Sequence, residues 1–103
     1  MSTAVKVANT SELPPGSGKL VEANGQAVAL FNVDGKYFAI DDACPHADGP
    51  LNEGALDGNV VTCPWHGAQF DVTTGKVLCA PARSDVKSYP VTVDGEDLFV
   101  EVD

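Results

Sequence analysis

Residues 27–40 read Ala27-Val28-Ala29-Leu30-Phe31-Asn32-Val33-Asp34-Gly35-Lys36-Tyr37-Phe38-Ala39-Ile40. Two apolar, β-branched and aromatic runs flank Asp34-Gly35. An Asp-Gly pair in that setting signals a two-residue hairpin, because the mirror-image turns that match strand twist need φ > 0. Working outward, the same device recurs at Asp94-Gly95, between Tyr89-Pro90-Val91-Thr92-Val93 and Leu98-Phe99-Val100-Glu101-Val102. Lys19-Leu20-Val21-Glu22 reads as a strand ended by Asn24-Gly25, and Val5-Lys6-Val7 as one that precedes a turn at Leu13-Pro14-Pro15-Gly16. Asn59-Val60-Val61-Thr62 and Gln69-Phe70-Asp71-Val72 read likewise, the latter closed by Thr74-Gly75. No stretch keeps a helical period; Thr10–Leu13 and Pro50–Ala55 offer at most one helical turn each. The expected fold is all-β, a small antiparallel β-sandwich or barrel formed by residues 1–103 as one domain.

Composition narrows the function. The formal charge is −9, from 15 Asp+Glu against 6 Lys+Arg. That excess repels phosphate backbones and anionic lipid surfaces, so no nucleic acid and no membrane partner is expected; a basic protein partner fits better. No apolar run approaches the roughly 20 residues of a membrane helix. Met1-Ser2-Thr3-Ala4-Val5-Lys6 lacks the apolar core of a secretory signal, so a cytoplasmic location is expected. There are 3 Cys, an odd number that excludes a complete disulfide framework, and 2 His, too few for any site of three imidazoles.

The residues that carry chemistry are Cys44-Pro45-His46 and, sixteen residues on, Cys63-Pro64-Trp65-His66. Each Cys–His pair falls in a loop beside an expected strand. A sheet that brings the two loop tips together sets four soft or borderline ligands around one point. Pro45 and Pro64 follow the two Cys, and Gly49 and Gly67 allow tight loop paths and close approach of backbone amides to sulfur. Two alternatives stand beside this reading: buried Cys with surface His in ordinary turns, and a structural zinc site. Zinc fingers space their ligands two to four residues apart and end in a helix, whereas here one pair, Cys44 and His46, is separated by a single residue and the setting is all-β.

Cys44-x-His46 and Cys63-x-x-His66-Gly67 resemble the Rieske iron–sulfur motif, and the resemblance runs along nearly the whole chain. It implies a 2Fe–2S cluster, with Cys44 and Cys63 on one iron and His46 and His66 on the other. The fold it implies is a Rieske-like antiparallel β-sandwich or barrel with a two-loop cluster-binding subdomain at about residues 42–82. Exchanging two thiolates for two neutral imidazoles removes negative charge, so Rieske potentials span about −150 to +300 mV against about −400 mV for all-Cys plant-type clusters.

Three departures place the chain within that range. High-potential members carry a further Cys in each loop, joined as a disulfide; Gly49 and Trp65 stand there. They also carry Ser and Tyr hydroxyls that donate to the cluster, where this chain has Ala68 and Phe70. The resemblance is therefore to the low-potential Rieske ferredoxins. By the same resemblance Pro81 belongs to a third loop covering the cluster, or is an ordinary loop proline, and Trp65 shields the cluster edge or simply packs. Cys79 is expected to be a packed thiol. Asp42 and Asp48 flank the first loop as candidates for partner docking, whereas the acid runs Asp41-Asp42 and Asp94–Asp97 are ordinarily solvated turns.

The function so implied is electron carriage, not catalysis. Both His are taken, so none remain for the mononuclear iron of a Rieske oxygenase. The only Gly-x-Gly, Gly16-Ser17-Gly18, has Val21 where a dinucleotide-binding turn has its third Gly. The partners implied are an NAD(P)H-dependent flavoprotein ferredoxin reductase and a terminal Rieske non-heme iron oxygenase. Both would bind a monomeric carrier transiently and with electrostatic help. Alternatives are a small Rieske subunit of a nitrite reductase-type complex and a zinc-bound structural module.

Overall fold

The structure is a computed structural model, which describes residues 3–42, 51–64, 67–79 and 85–102. Among the described residues, eleven strands are arranged in three antiparallel sheets. The middle sheet has the order β2 (Gly18–Ala23), β3 (Gln26–Val33), β4 (Lys36–Asp41), β9 (Ser88–Tyr89). A second sheet pairs β1 (Thr3–Asn9), β11 (Asp97–Val102) and β10 (Val91–Asp94) in that order. The third runs β5 (Ala55–Asp57), β6 (Val60–Thr62), β7 (Gln69–Asp71), β8 (Val77–Cys79).

Turn chemistry sets the hairpins. Asn24-Gly25 and Asp34-Gly35 each link two strands as a two-residue loop with both residues at positive φ: 52° and 84° in the first, 53° and 91° in the second. This is the type I′ pattern, and Gly at the second position relieves the strain a side chain would bear there. The Asp94-Gly95 expectation shifts by one residue. Asp94 pairs with Asp97, and the loop is Gly95-Glu96 with φ +64° at Gly95, the type II′ pattern.

Strand β3 explains the layering. Val28 and Leu30 face one way, into a core with Leu13, Val21, Leu98, Val100 and Val102. Ala29 and Phe31 face the other way, into a core with Ile40, Leu51, Val61, Cys63, Phe70 and Val72. A strand covered on both faces reads as a continuous apolar run rather than an alternating one. The all-β expectation holds, and the sandwich has two cores that share a middle sheet. The expected strand Tyr89–Val93 is instead two: Tyr89 pairs with Ala39 in the middle sheet and Val91 with Val100 in another. Pro90, which has no N–H to give a ladder, makes the crossing. Strands β5 and β8 were not anticipated; each is 3 residues long. The helical turns at Thr10–Glu12 and Leu51–Glu53 are 3₁₀ turns within the two anticipated stretches.

Candidate functional site: the loop-bearing edge of the third sheet

Register places the site. Ala55 pairs with Thr62, Thr62 with Gln69, and Gln69 with Cys79, so these four residues form one row across the third sheet. Beyond that row the chain runs from Leu51–Gly54 into Ala55, from Thr62 through Cys63, and on past Cys79. The described flanks of three segments, 43–50, 64–67 and 80–84, thus meet at one sheet edge. Of the residues singled out in the sequence, Cys44, His46, Asp48, Gly49, Trp65, His66 and Pro81 lie outside the described residues, and so does the side chain of Cys79.

Of the four ligands expected from the sequence, Cys63 is among the described residues. It follows β6 directly and is 1% exposed, packed in the core with Leu51, Val61, Ala68 and Phe70. Its N–H donates to the Ala68 carbonyl at 2.7 Å, and its own carbonyl accepts from the Gly67 N–H at 3.0 Å. Those two bonds close a narrow loop at residues 63–68, with Gly67 at φ +77°. The thiol is in no disulfide. A free, fixed sulfur donor at the point where three segments converge suits a soft metal centre. Ala68 and Phe70, both fully buried beside it, offer no hydroxyl.

The other two flanks are tied as tightly. Asp42, 9% exposed, lies at the start of the first segment. Its Oδ1 accepts from the Asn52 N–H at 2.9 Å and from Asn52 Nδ2 at 2.6 Å, and its carbonyl accepts from the Leu51 N–H at 2.8 Å. Asp42 therefore closes the neck of the 43–50 segment instead of standing free as a docking acid. Asp41 is engaged too: its Oδ1 accepts from the Tyr89 hydroxyl at 2.5 Å and its Oδ2 from the Lys87 N–H at 3.2 Å. After position 84 the chain is tied by Asp85, whose Oδ1 accepts from the Val77 N–H at 2.8 Å, and by the Val86 N–H donating to Gly75 O at 2.8 Å. Gly75 permits that approach, since a Cβ there would lie 2.1 Å from Val86 O.

Sequence reading missed the long-range roles of Asn52, Gly75 and Asp85, of which only Gly75 stands out locally, as a turn residue. Each is a short polar or Gly residue whose partner lies eight or more positions away, and no local pattern announces such a pairing. The acidic pair before Cys44 was noticed, but nothing in its sequence marks Asp42 as buried.

A family model for the Rieske [2Fe-2S] domain matches residues 3–90. The biphenyl dioxygenase ferredoxin subunit of Pseudomonas sp. (strain KKS102) is 43% identical over 100 residues, covering 96% of this chain and 92% of that protein. The ferredoxin of carbazole 1,9a-dioxygenase from Nocardioides aromaticivorans IC177 superposes with a TM-score of 0.91 at 32% identity, covering 95% of this chain and 96% of that one. A chain in the complex of reduced oxygenase and oxidized ferredoxin of carbazole 1,9a-dioxygenase superposes with a TM-score of 0.88 at 33% identity, covering 94% of this chain and 91% of that one. With its three loop flanks converging beside a free buried cysteine, and with this match over most of its length, the chain belongs to the Rieske [2Fe-2S] domain family.

Proposed function

We propose that the protein is the ferredoxin component of a ring-hydroxylating-type oxygenase system. It takes single electrons from an NAD(P)H-dependent flavoprotein reductase and delivers them to the Rieske centre of a terminal oxygenase. The observation that carries this reading is the near-complete match, in both directions, to a protein named a dioxygenase ferredoxin subunit. The protein is a carrier and not a catalyst.

Cys44 and Cys63 would hold one iron of the 2Fe–2S cluster, and His46 and His66 the other. The cluster, when bound, supplies reversible storage of one electron. The chain's own residues do the rest. Leu51, Val61, Ala68 and Phe70 wall Cys63 from water, and the absence of a hydroxyl at Ala68 and Phe70 favours a low potential. Partner contacts are brief and confined to the small loop-bearing face. Among the described residues no helix is long and apolar enough to cross a membrane. A monomer acting in the cytoplasm fits this role.

Reconstitution tests the function. Purified holo-protein mixed with a flavoprotein reductase, NAD(P)H and a terminal Rieske oxygenase should restore substrate turnover. Permanent association in a reductase complex, seen by size exclusion, would instead favour a fixed-subunit role. Single replacements of Cys44, His46, Cys63 and His66 should each abolish or shift the visible spectrum, whereas Cys79→Ser should leave it intact.

A further inference from the structure

The neck of the first loop holds a buried carboxylate that the electron-carrier reading does not use. Asp42 is 9% exposed, and its Oδ1 takes both side-chain and main-chain donors of Asn52. With the bond from the Leu51 N–H to the Asp42 carbonyl, three hydrogen bonds close the chain at residues 42 and 51–52, on either side of the segment that contains Cys44 and His46. Asn52 is an amide, so it satisfies the carboxylate without cancelling its charge. The ion pairs found among the described residues are Lys6–Asp97 and Lys19–Glu12, and neither reaches Asp42. Covalent geometry keeps the Cα of Asp42 within about 7 Å of that of Cys44, since two residues span no more than that. A charge so near and so little exposed to water acts more strongly than a distant, solvated one.

We propose that Asp42 is a positioning residue with an electrostatic effect. Clasped by Asn52, it fixes the opening of the first ligand loop before the cluster is loaded, and its negative charge, which meets no ion-pair partner among the described residues, opposes reduction of the centre. The proposal rests on the ligand assignment of Cys44 and His46 given above. The clasp and charge together are a source for a low potential beside the missing hydroxyls at Ala68 and Phe70.

Isosteric replacements separate the two roles. Asp42→Asn keeps an oxygen acceptor and removes the charge, whereas Asn52→Asp sets two carboxylates against each other at the neck. The double variant D42N/N52D restores an amide–carboxylate pair in reverse. Measurements on holo-protein are the midpoint potential, the EPR g values of the reduced form, and the rate of cluster loss to a chelator. The expected result is a higher potential in Asp42→Asn at unchanged g values, faster cluster loss in Asn52→Asp, and recovery of retention in the double variant. A wild-type potential in Asp42→Asn, in protein with its full visible spectrum, overturns the charge effect. A double variant that loses its cluster as fast as Asn52→Asp overturns the clasp. Failure of the ligand assignment looks different: Cys44→Ser would then keep the native spectrum.

Discussion

The amide of Cys63 and the carbonyl of Ala68 lie 2.7 Å apart, hydrogen-bonded across the mouth of a loop whose two ends are buried in the same core. The side chains of Ala68 and Cys63 are both buried in that core.

A hydroxyl placed at position 68 adds a donor to a core that includes the Cys63 sulfur. Ala68→Ser should raise the midpoint potential, by donating to the cluster or to the Cys63 sulfur, at a stability cost of about 1–3 kcal/mol for the added atom in a filled core. Voltammetry of the holo-protein checks the first part; a potential that is unchanged or lower counts against the account given for Ala68 and Phe70.

The two cores make separable demands. Leu51 and Leu98 are both fully buried, one in each core. Leu51→Ala and Leu98→Ala should each cost about 2–5 kcal/mol, from lost transfer energy and the cavity left behind. Only Leu51→Ala, whose core includes Cys63, should also change the EPR g values or hasten cluster loss.

Gly75 combines a left-handed φ of +81° with Val86 O only 2.1 Å from where a Cβ would stand. Gly35 has φ +91° but open space around it. Gly75→Ala should therefore lower the melting temperature well beyond Gly35→Ala, whose cost stays within the ~1–3 kcal/mol of backbone strain. Thermal unfolding of the two variants in parallel gives the comparison, and equal losses would refute the close-approach argument.

The charge of −9 leads to a kinetic expectation. Electron transfer to a partner with a basic rim should slow as salt rises from about 0.01 M to 0.5 M, because the screening length falls from about 30 Å to a few ångströms. Stopped-flow rates that stay flat over that range would remove electrostatic steering from the account.

How much of this was legible in the sequence depends on the range of the interaction. Asn24-Gly25 and Asp34-Gly35 disclosed their hairpins because the turn residues themselves set φ. The Cys–His spacing disclosed the family because ligand types at fixed intervals have few other uses. Strands β5 and β8 escaped notice, being too short to show alternation. Pro90 could have been read as a break, since it stood inside the expected strand Tyr89–Val93. The unbroken run Val28–Phe31 did hint at a strand covered on both faces, but a hairpin of a simple sandwich also accommodates it. Asp42 was misjudged for a different reason: an acid before a loop reads as solvated until its long-range partner, Asn52, is known.

Strand length carries one more consequence. Strands β5, β6, β7 and β8 have 3 residues each, whereas β2, β3 and β4 have 6, 8 and 6. Short ladders open at lower free energy than long ones, so the third sheet is expected to open before the middle one. Amide protons of the third sheet should exchange with deuterium earlier than those of β3, most of all in protein stripped of its metal. The long-stranded part then acts as a standing template on which the loop-bearing unit can close again, so that loss of the metal need not mean loss of the chain.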